Sequence, residues 1–555
     1  MFDFASMMEF VTRPGRDPHA AAFLFYAQGF RCIVMFRRLS KQSGNAAGLA
    51  SVDPASGDAL AVSGTCTVSA PGKALIAGGY LVTDRPNIGV VVAATSRFYS
   101  TVKQMPHPLH TSGVLSVHVL SPQFLTEYEY NYDVCTHSLR RVRGDHNEFI
   151  EKCLSLTLGF VLATKGADHV LSAGRIGVKL RADNDFYSQI DELASKGLPR
   201  LSANLATIRR FNPLPQNPDG SLRVAKTGMG SSAALTTSLV GSLLHFFKCI
   251  SLPDTTSTSV STATASGSTD IVDKACVHNL AQLAHAIAQG KVGSGFDVGS
   301  AVYGSILYRR FAPAPLKSCL DAGDELTLKT LKECVLDRVC WTQSIQCFSL
   351  PPGCDLAMGD VCGGSSTTSM TSAVKRWLKD DPTAPVLWSE LAACNDKISR
   401  QFSSLSALAD EKEVAYTKAL SLLMALPSVD WLNVVVEEED VNNIVNEWVT
   451  LRRLLKDSRR LLKSMGEQAN VDIEPDDQTH LAEATLSSPG VLAAGVPGAG
   501  GVDAIYALTL GPRARGHVEK LWSEWSTRTV CPLLLSAQGQ SDSTPGVRVE
   551  SGMHW

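Results

Sequence analysis

Apolar positions from residue 65 onward fall first into strand-like runs and then into helical spacing. Cys66 to Ala70 alternates or runs apolar as a strand does. Ala70-Pro71-Gly72-Lys73 reads as a turn, and Ala74 to Ala77 resumes the run before Gly78-Gly79. Val90 to Ala94 is expected to be a short buried strand from its β-branched content. Glu148 to Ala163 and Leu235 to Phe247 carry helical spacing, and a strand is expected just before the second, over Leu222 to Ala225. Asn212 to Gly220, rich in Pro, Asn and Gly, reads as a loop. Val272 to Gln289 reads as a helix. Ser300 to Phe311, with Tyr303, Ile306, Leu307 and Tyr308, reads as the entrance to a strand pair.

A second unit begins near Cys354-Asp355-Leu356-Ala357-Met358. It holds long helical patterns over Trp388 to Leu426 and Asp440 to Met465, and it ends in β-like runs, Ala504 to Leu510 and Val530 to Leu535. Strands mixed with helices in both halves predict an α+β or α/β class. The expected organisation is a poorly ordered extension over 1–62, a first domain over 63–350 and a second over 351–555. Within the first domain, the Ser/Thr/Gly/Ala stretch 255–269 is expected to be a disordered surface insertion.

Composition narrows the class of partner more than the fold. A chain of 555 residues is too long for one ordinary domain. Its 44% apolar and 19% charged residues are those of a soluble globular protein. A formal net charge of −3 provides no basic field, so nucleic acid is not expected as a partner. The 14 cysteines include no C-x-x-C pair, so structural zinc is not expected and free thiols in a reducing compartment are. Ala20 to Phe36 is too short for a membrane span and is broken by Gln28, Gly29 and Arg31. The expected setting is therefore the cytoplasm, without membrane association, as a monomer or homodimer. Met553-His554-Trp555 is not a peroxisomal address of the Ser-Lys-Leu type.

The chemistry concentrates in Lys226-Thr227-Gly228-Met229-Gly230-Ser231-Ser232-Ala233-Ala234, which opens an apolar helical run. Two glycines permit a tight turn and close approach of a ligand. The helix start offers free N–H groups and the positive end of a dipole, which together suit an anion. Ser231 and Ser232 add hydroxyls for a phosphate or Mg²⁺. This is not a Walker A loop, because no Lys-Ser/Thr pair follows the last glycine. It fits the dinucleotide pattern G-x-G-x-x-A but lacks the acidic residue about 20 positions on. A phosphate cradle and a plain helix cap both remain open at this point.

Three further glycine turns stand beside charged or hydroxyl residues: Ser69-Ala70-Pro71-Gly72-Lys73, Gly290-Lys291-Val292-Gly293-Ser294-Gly295-Phe296-Asp297, and Gly495-Val496-Pro497-Gly498-Ala499-Gly500-Gly501-Val502-Asp503. Together the four resemble the motif set of the GHMP small-molecule kinases, the group of galactokinase, homoserine kinase and mevalonate kinase. Four other segments resemble the branch that phosphorylates 5-phosphomevalonate: Ala77-Gly78-Gly79-Tyr80-Leu81-Val82, Asp183-Asn184-Asp185-Phe186-Tyr187-Ser188-Gln189, His285 to Lys291, and Gly359-Asp360-Val361-Cys362-Gly363-Gly364-Ser365. The resemblance covers Val68 to Glu550. It implies an α+β kinase with a ribosomal-S5-like N-terminal domain and a ferredoxin-like C-terminal domain, using ATP and Mg²⁺ on a small-molecule acceptor. The alternatives are another kinase of the group, such as mevalonate kinase, or a non-catalytic nucleotide or metabolite sensor.

The resemblance also implies roles for residues. Lys73 matches the lysine that neutralises charge at the reacting phosphate, Asp297 the catalytic aspartate, and Lys226 a group holding the acceptor or transferring phosphate. Gly228, Met229, Gly230, Ser231, Ser232 and Ala233 match the nucleotide cradle, with Ser232 on the metal, and Asn184, Tyr187, Ser188 and Gln189 are expected to line the nucleotide or acceptor pocket, Asn184, Ser188 and Gln189 on the nucleotide. Ser294, Gly295, Gly364, Ser365, Gly498 and Gly500 are expected on the substrate side, with Gly363 and Thr367 in the same second anion loop. Where several relatives place a metal-binding Glu, this chain offers His285 or Gln289, so no second metal ligand is assigned. A phosphate monoester is already ionised near neutral pH, with its second pKa near 6. Asp297 is therefore expected to orient Lys73 or the acceptor and not to remove a proton.

Overall fold

Two long antiparallel strands, β1 (Thr65–Ala77) and β2 (Gly89–Met105), form the spine of a nine-stranded sheet. This computed structural model describes residues 64–106, 113–255, 267–337, 341–363, 367–539, 544–553 and 555. The remaining strands of the sheet are β3 (Val114–Ser121), β4 (Thr126–Asp133), β5 (Ser138–Arg143), β6 (Arg175–Ala182), β7 (Ile306–Arg309), β8 (Ser344–Cys347) and β13 (Arg548–Val549). Their order is β13-β1-β2-β6-β3-β4-β5, with β7 on β2 and β8 on β7. β3 and β4 alternate buried and half-buried positions and turn Tyr128, Tyr130 and Tyr132 inward, the pattern of strands with one covered face. β1 and β2 are buried almost throughout.

Helices cover this sheet. They are α1 (Glu148–Lys165), α2 (Ser231–Phe246), α3 (Gly267–Ala288) and the short α4 (Phe296–Tyr303). α2 lies on β1 and β2 and is itself packed by α1 and α3, so it is buried nearly all round, its inward Thr236, Thr237, Ser238 and Ser242 included. Asn147 caps α1, its side chain accepting from Ile150 N at 3.2 Å.

The second sheet has four antiparallel strands, β9 (Cys354–Asp360), β10 (Val491–Gly495), β11 (Ala504–Leu510) and β12 (Cys531–Pro532), in the order β10-β11-β9-β12. Alternate residues of β11 serve different cores. Ile505 and Ala507 join Leu481, Val518 and Trp522 from α7 (Asp476–Leu486) and α8 (Gly511–Glu524). Tyr506 and Leu508 join the main core, together with residues of α5 (Ala384–Glu411) and α6 (Glu439–Ala469). The class is α+β. Residues of the second sheet's region return to β1: Val549 pairs with Val68, and Gly498 N donates to Leu75 O at 3.2 Å.

Several expected elements change in detail. Ala70 to Lys73 is no turn: β1 runs through it, and a bulge between Pro71 and Lys73 absorbs the irregularity while pairing with β2 continues. Val90 to Ala94 is the start of a 17-residue strand. Leu222 to Ala225 is no strand, because it lies mostly exposed with only an isolated bridge, Gln216 to Leu222. Ser300 to Tyr303 completes α4, and the strand begins only at Ile306 after Gly304 ends the helix. Trp388 to Leu426 divides at Lys412 into two helices, and Val530 to Leu535 shrinks to a two-residue strand. Of the expected insertion 255–269, residues 256–266 lie outside the described residues and Gly267 onward is helical. The expected extension over 1–62 also lies outside them. Among the described residues no helix is long and apolar enough to cross a membrane.

Candidate active site

The glycine turn ahead of α2 is held between two neighbours. Ser188 N donates to Ala225 O at 2.9 Å and Thr227 N to Phe186 O at 3.4 Å, which fixes residues 225–227 along the 184–188 turn. On the other side Lys73 N donates to Met229 O at 3.1 Å, from the β1 bulge. Gly228 and Gly230 take φ of 75° and 74°, the left-handed region that disfavours any residue with a Cβ. Gly230 is the N-cap of α2, and no side chain caps that end. The first N–H groups of a 16-residue helix, at Ser231, Ser232 and Ala233, therefore point outward without intrahelical partners.

Lys73 reaches the same place from β1. Its Nζ donates to Gly228 O at 3.1 Å and sits 5.4 Å from the Phe296 ring centroid. Burial pushes the ammonium's pKa below the ordinary lysine value, and the negative charge of Asp297 pulls part of it back. A Cβ placed on Gly230 would lie 3.1 Å from Lys73 Cε and 3.9 Å from Asp297 Cβ. The β1 bulge, the cradle and the first turn of α4 thus converge on one point.

The third turn is built to present Asp297. Gly295 caps α4 with φ 83°, where a Cβ would meet Phe311 at 2.5 Å and both Gln282 and Tyr308 at 2.9 Å. Gln282 Nε2 donates to Gly295 O at 2.7 Å, Tyr308 OH to Ser294 O at 3.0 Å, and Arg310 to the carbonyls of Val292 and Gly293 at 3.2 and 2.7 Å. Asp297 Oδ1 accepts from Val298 N at 3.0 Å. His285, buried on α3, stands 3.1 Å through Nε2 from both Ser232 Oγ and Gln289 Nε2. Burial lowers its pKa, Asp297 opposes that shift, and Lys291 adds to it.

Lys73, Gly228, Met229, Gly230, Ser231, Ser232, Ala233, Ser294, Gly295 and Asp297 accordingly lie at or around this point. Lys226 is exposed at the cradle's entrance, paired by backbone with Tyr187. Asn184 and Gln189 are engaged internally. Asn184 donates to Arg209 O and accepts from Asn212 N, both at 2.9 Å, while Gln189 donates to Tyr187 O at 3.0 Å and accepts from Asn212 Nδ2 at 3.2 Å. Ser188 faces Cys362 Sγ at 3.7 Å and Asp360. Gly364 and Ser365 lie outside the described residues, whereas Gly363 packs on Val502, whose atoms stand 2.3 Å from where a Cβ would be. Gly498 has open space beside it, but at Gly500 a Cβ would lie 2.1 Å from Ile473 O, which is a packing constraint.

The spacing of motifs does not mark Phe296 as the ring beneath Lys73, nor Gln282, Tyr308 and Arg310 as supports of the third turn. Phe296 lies inside the third motif beside Asp297, while Gln282 comes from α3 and Tyr308 and Arg310 from β7 and the residue after it, with no local signature; only the helical offset of Gln282 from His285 hints at a shared face. Ser232 offers a hydroxyl oxygen for a metal. Among the described residues no group of three or more His, Cys, Asp or Glu side chains is placed to hold one. That donor set fits Mg²⁺ bound chiefly by phosphates and water, with one or two protein ligands.

No family model matches the chain. It is 36% identical over 503 residues to phosphomevalonate kinase, peroxisomal, of Arabidopsis thaliana, covering 87% of this chain and 96% of the relative. It is 31% identical over 450 residues to phosphomevalonate kinase of Candida albicans, covering 80% and 89%. The fold is shared with the Lin0012 protein of Listeria innocua at a TM-score of 0.56 and 17% identity, over 88% of this chain and all of that one. Fold, cradle and the convergence of Lys73 with Asp297 define a kinase of the GHMP class. Within that class, the relatives are similar over nearly their full length. The chain belongs to the phosphomevalonate kinase family.

Proposed function

We propose that this chain transfers the γ-phosphoryl group of ATP to (R)-5-phosphomevalonate, giving (R)-5-diphosphomevalonate and ADP for isoprenoid and sterol precursors. The observation that carries the reading is the meeting of Lys73, the uncapped start of α2 and Asp297 at Gly230. An ionised phosphate oxygen of the acceptor attacks the γ-phosphorus, and the bond from that phosphorus to the β–γ bridging oxygen breaks. The electron pair leaves with ADP. No proton has to be removed from the nucleophile, so the residues' work is positioning and charge stabilisation.

Lys73 neutralises charge on the moving group, and the N–H groups of Ser231 to Ala233 hold phosphate oxygens. Asp297 keeps Lys73 charged and aimed. Ser232 would hold Mg²⁺, which would supply positive charge to offset that of the phosphates. Lys226, at the exposed entrance, binds the acceptor's phosphate, with Gly363 and the Gly498 turn on the acceptor side. Asn184 and Gln189 shape the pocket wall through their internal bonds. In this reading residues 63–350 form the nucleotide lobe and 351–555 the second lobe. The protein works as a monomer or homodimer in the cytoplasm, without nucleic acid or membrane. The Arabidopsis relative is named peroxisomal, so cell fractionation is the check on compartment.

A coupled ADP-release assay with mevalonate and 5-phosphomevalonate as rival acceptors tests the function. Turnover with 5-phosphomevalonate alone supports it. Preference for mevalonate, or nucleotide binding with no ADP release from either, overturns it.

A further inference from the structure

The two hydroxyls at the start of α2 are not equivalent. Ser231 interacts with the Tyr187 hydroxyl, whereas Ser232 Oγ stands 3.1 Å from His285 Nε2. The same nitrogen is 3.1 Å from Gln289 Nε2. An amide NH₂ only donates, so His285 Nε2 carries no proton there, and its single lone pair faces both Gln289 Nε2 and the Ser232 hydroxyl. Toward a nitrogen in that state the Ser232 hydroxyl can only be the donor. With its proton directed into that shared lone pair, the outward side of its oxygen holds acceptor lone pairs alone. Such a hydroxyl cannot donate to a phosphate oxygen but suits a cation. His285 is buried and its ring lies 5.7 Å, centroid to centroid, from Phe149, so packing fixes the plane that aims Nε2.

We infer that His285 is a positioning residue which accepts the Ser232 hydrogen bond and thereby turns that hydroxyl's oxygen toward a divalent cation, leaving Ser231 and the helix N–H groups for phosphate. The inference rests on the nucleotide reading of the cradle. It assigns His285 a role through Ser232 and not a direct contact with the metal.

The test measures Mn²⁺ binding by electron paramagnetic resonance with a non-hydrolysable ATP analogue held saturating. The full chain, H285A, S232A and the double variant are compared after their melting midpoints are recorded. H285A should weaken Mn²⁺ about tenfold, the scale typical of losing an outer partner of a metal ligand. Analogue binding without divalent ion should stay unchanged. The double variant should be no weaker than S232A, because His285 acts through Ser232. Mn²⁺ affinity of H285A within twofold of the parent, or additive losses in the double variant, overturns the inference. If H285A does not fold, H285F fills the same space without an acceptor and takes its place. A parent chain that binds the analogue but no Mn²⁺ also overturns it, and one that binds no analogue takes down the kinase reading beneath it.

Discussion

Lys73 gives its hydrogen bond to a backbone carbonyl, Gly228 O at 3.1 Å, yet Asp297 is the charge that sustains its ammonium against burial. Removing that charge as D297N should let the lysine's pKa fall further. The rate requires the protonated form, so the alkaline limb of the kcat profile should move to lower pH in D297N. Turnover should fall while ATP affinity holds within a few-fold. K73M removes the charge itself and should cost about 10²–10³ in kcat, as loss of one transition-state donor typically does. Initial rates across pH, with nucleotide binding by calorimetry, check both. An unmoved alkaline limb in D297N would refute the electrostatic coupling.

Gly228 and Gly230 share the same backbone region but not the same surroundings. Each should cost about 1–2 kcal/mol on conversion to alanine, the strain of a left-handed Cβ. A Cβ at Gly228 meets only Ala504 Cβ at 3.9 Å, whereas at Gly230 it meets Lys73 Cε at 3.1 Å. G228A and G230A should therefore lose similar stability in urea titrations, while G230A should lose roughly tenfold more turnover by displacing the lysine. Equal kinetic losses would show that the crowding at Gly230 does not matter to catalysis.

Many of the residues that gather around Gly230 stand out in the sequence, because glycines at forced backbone angles beside charged neighbours leave a local signature. Gly230 and Gly295, both at positive φ and both N-caps, are of this kind. Their mutual placement is not legible from spacing. Lys73 and Asp297 are brought together by β1 and α4 packing around the start of α2, and only the family resemblance implies that meeting. The strand expected at Leu222 to Ala225 does not form because its pairing is divided between isolated bridges, Leu222 with Gln216 and Lys226 with Tyr187, so no continuous ladder develops. The turn expected at Pro71 is absent for the converse reason: a long partner strand, β2, holds β1 straight through a bulge. The long helices of the second half are legible from their periodicity, since α6 repeats Val441, Ile444, Val445, Trp448 and Leu451 on one buried face.

Gly498 and Gly500 of the fourth glycine turn stand in different surroundings, which one pair of substitutions separates. At Gly500, φ is 80° and a Cβ would strike Ile473 O at 2.1 Å, so G500A should destabilise the chain by more than backbone strain alone. At Gly498, φ is 70° but space is open, so G498A should lose about 1–2 kcal/mol and no more. If Gly498 approaches substrate as proposed, G498A should also raise KM for one substrate. Thermal melts and steady-state kinetics decide between them. A G500A variant as stable as the parent would show that the Ile473 contact gives way freely.

Asp185 ties the cradle to the distant 531–536 segment, and its ionisation should be visible in stability. Its carboxylate accepts from Leu534 N at 2.9 Å and from the Ser96 hydroxyl, while its backbone carbonyl accepts from the Thr227 hydroxyl. Burial raises its pKa above the ordinary carboxylate value, more than those donors lower it. The folded chain therefore binds this proton more tightly than the unfolded one. The stability it contributes is complete below the unfolded carboxylate pKa and is lost as pH rises through the raised folded value. D185N cannot titrate yet keeps a carbonyl acceptor for one of the two donors. The stability advantage of the parent over D185N should shrink as pH rises across that window, read from melting midpoints at matched ionic strength. Curves that stay parallel would mean that Asp185 titrates alike in both states, and that the link it makes to Leu534 is insensitive to charge.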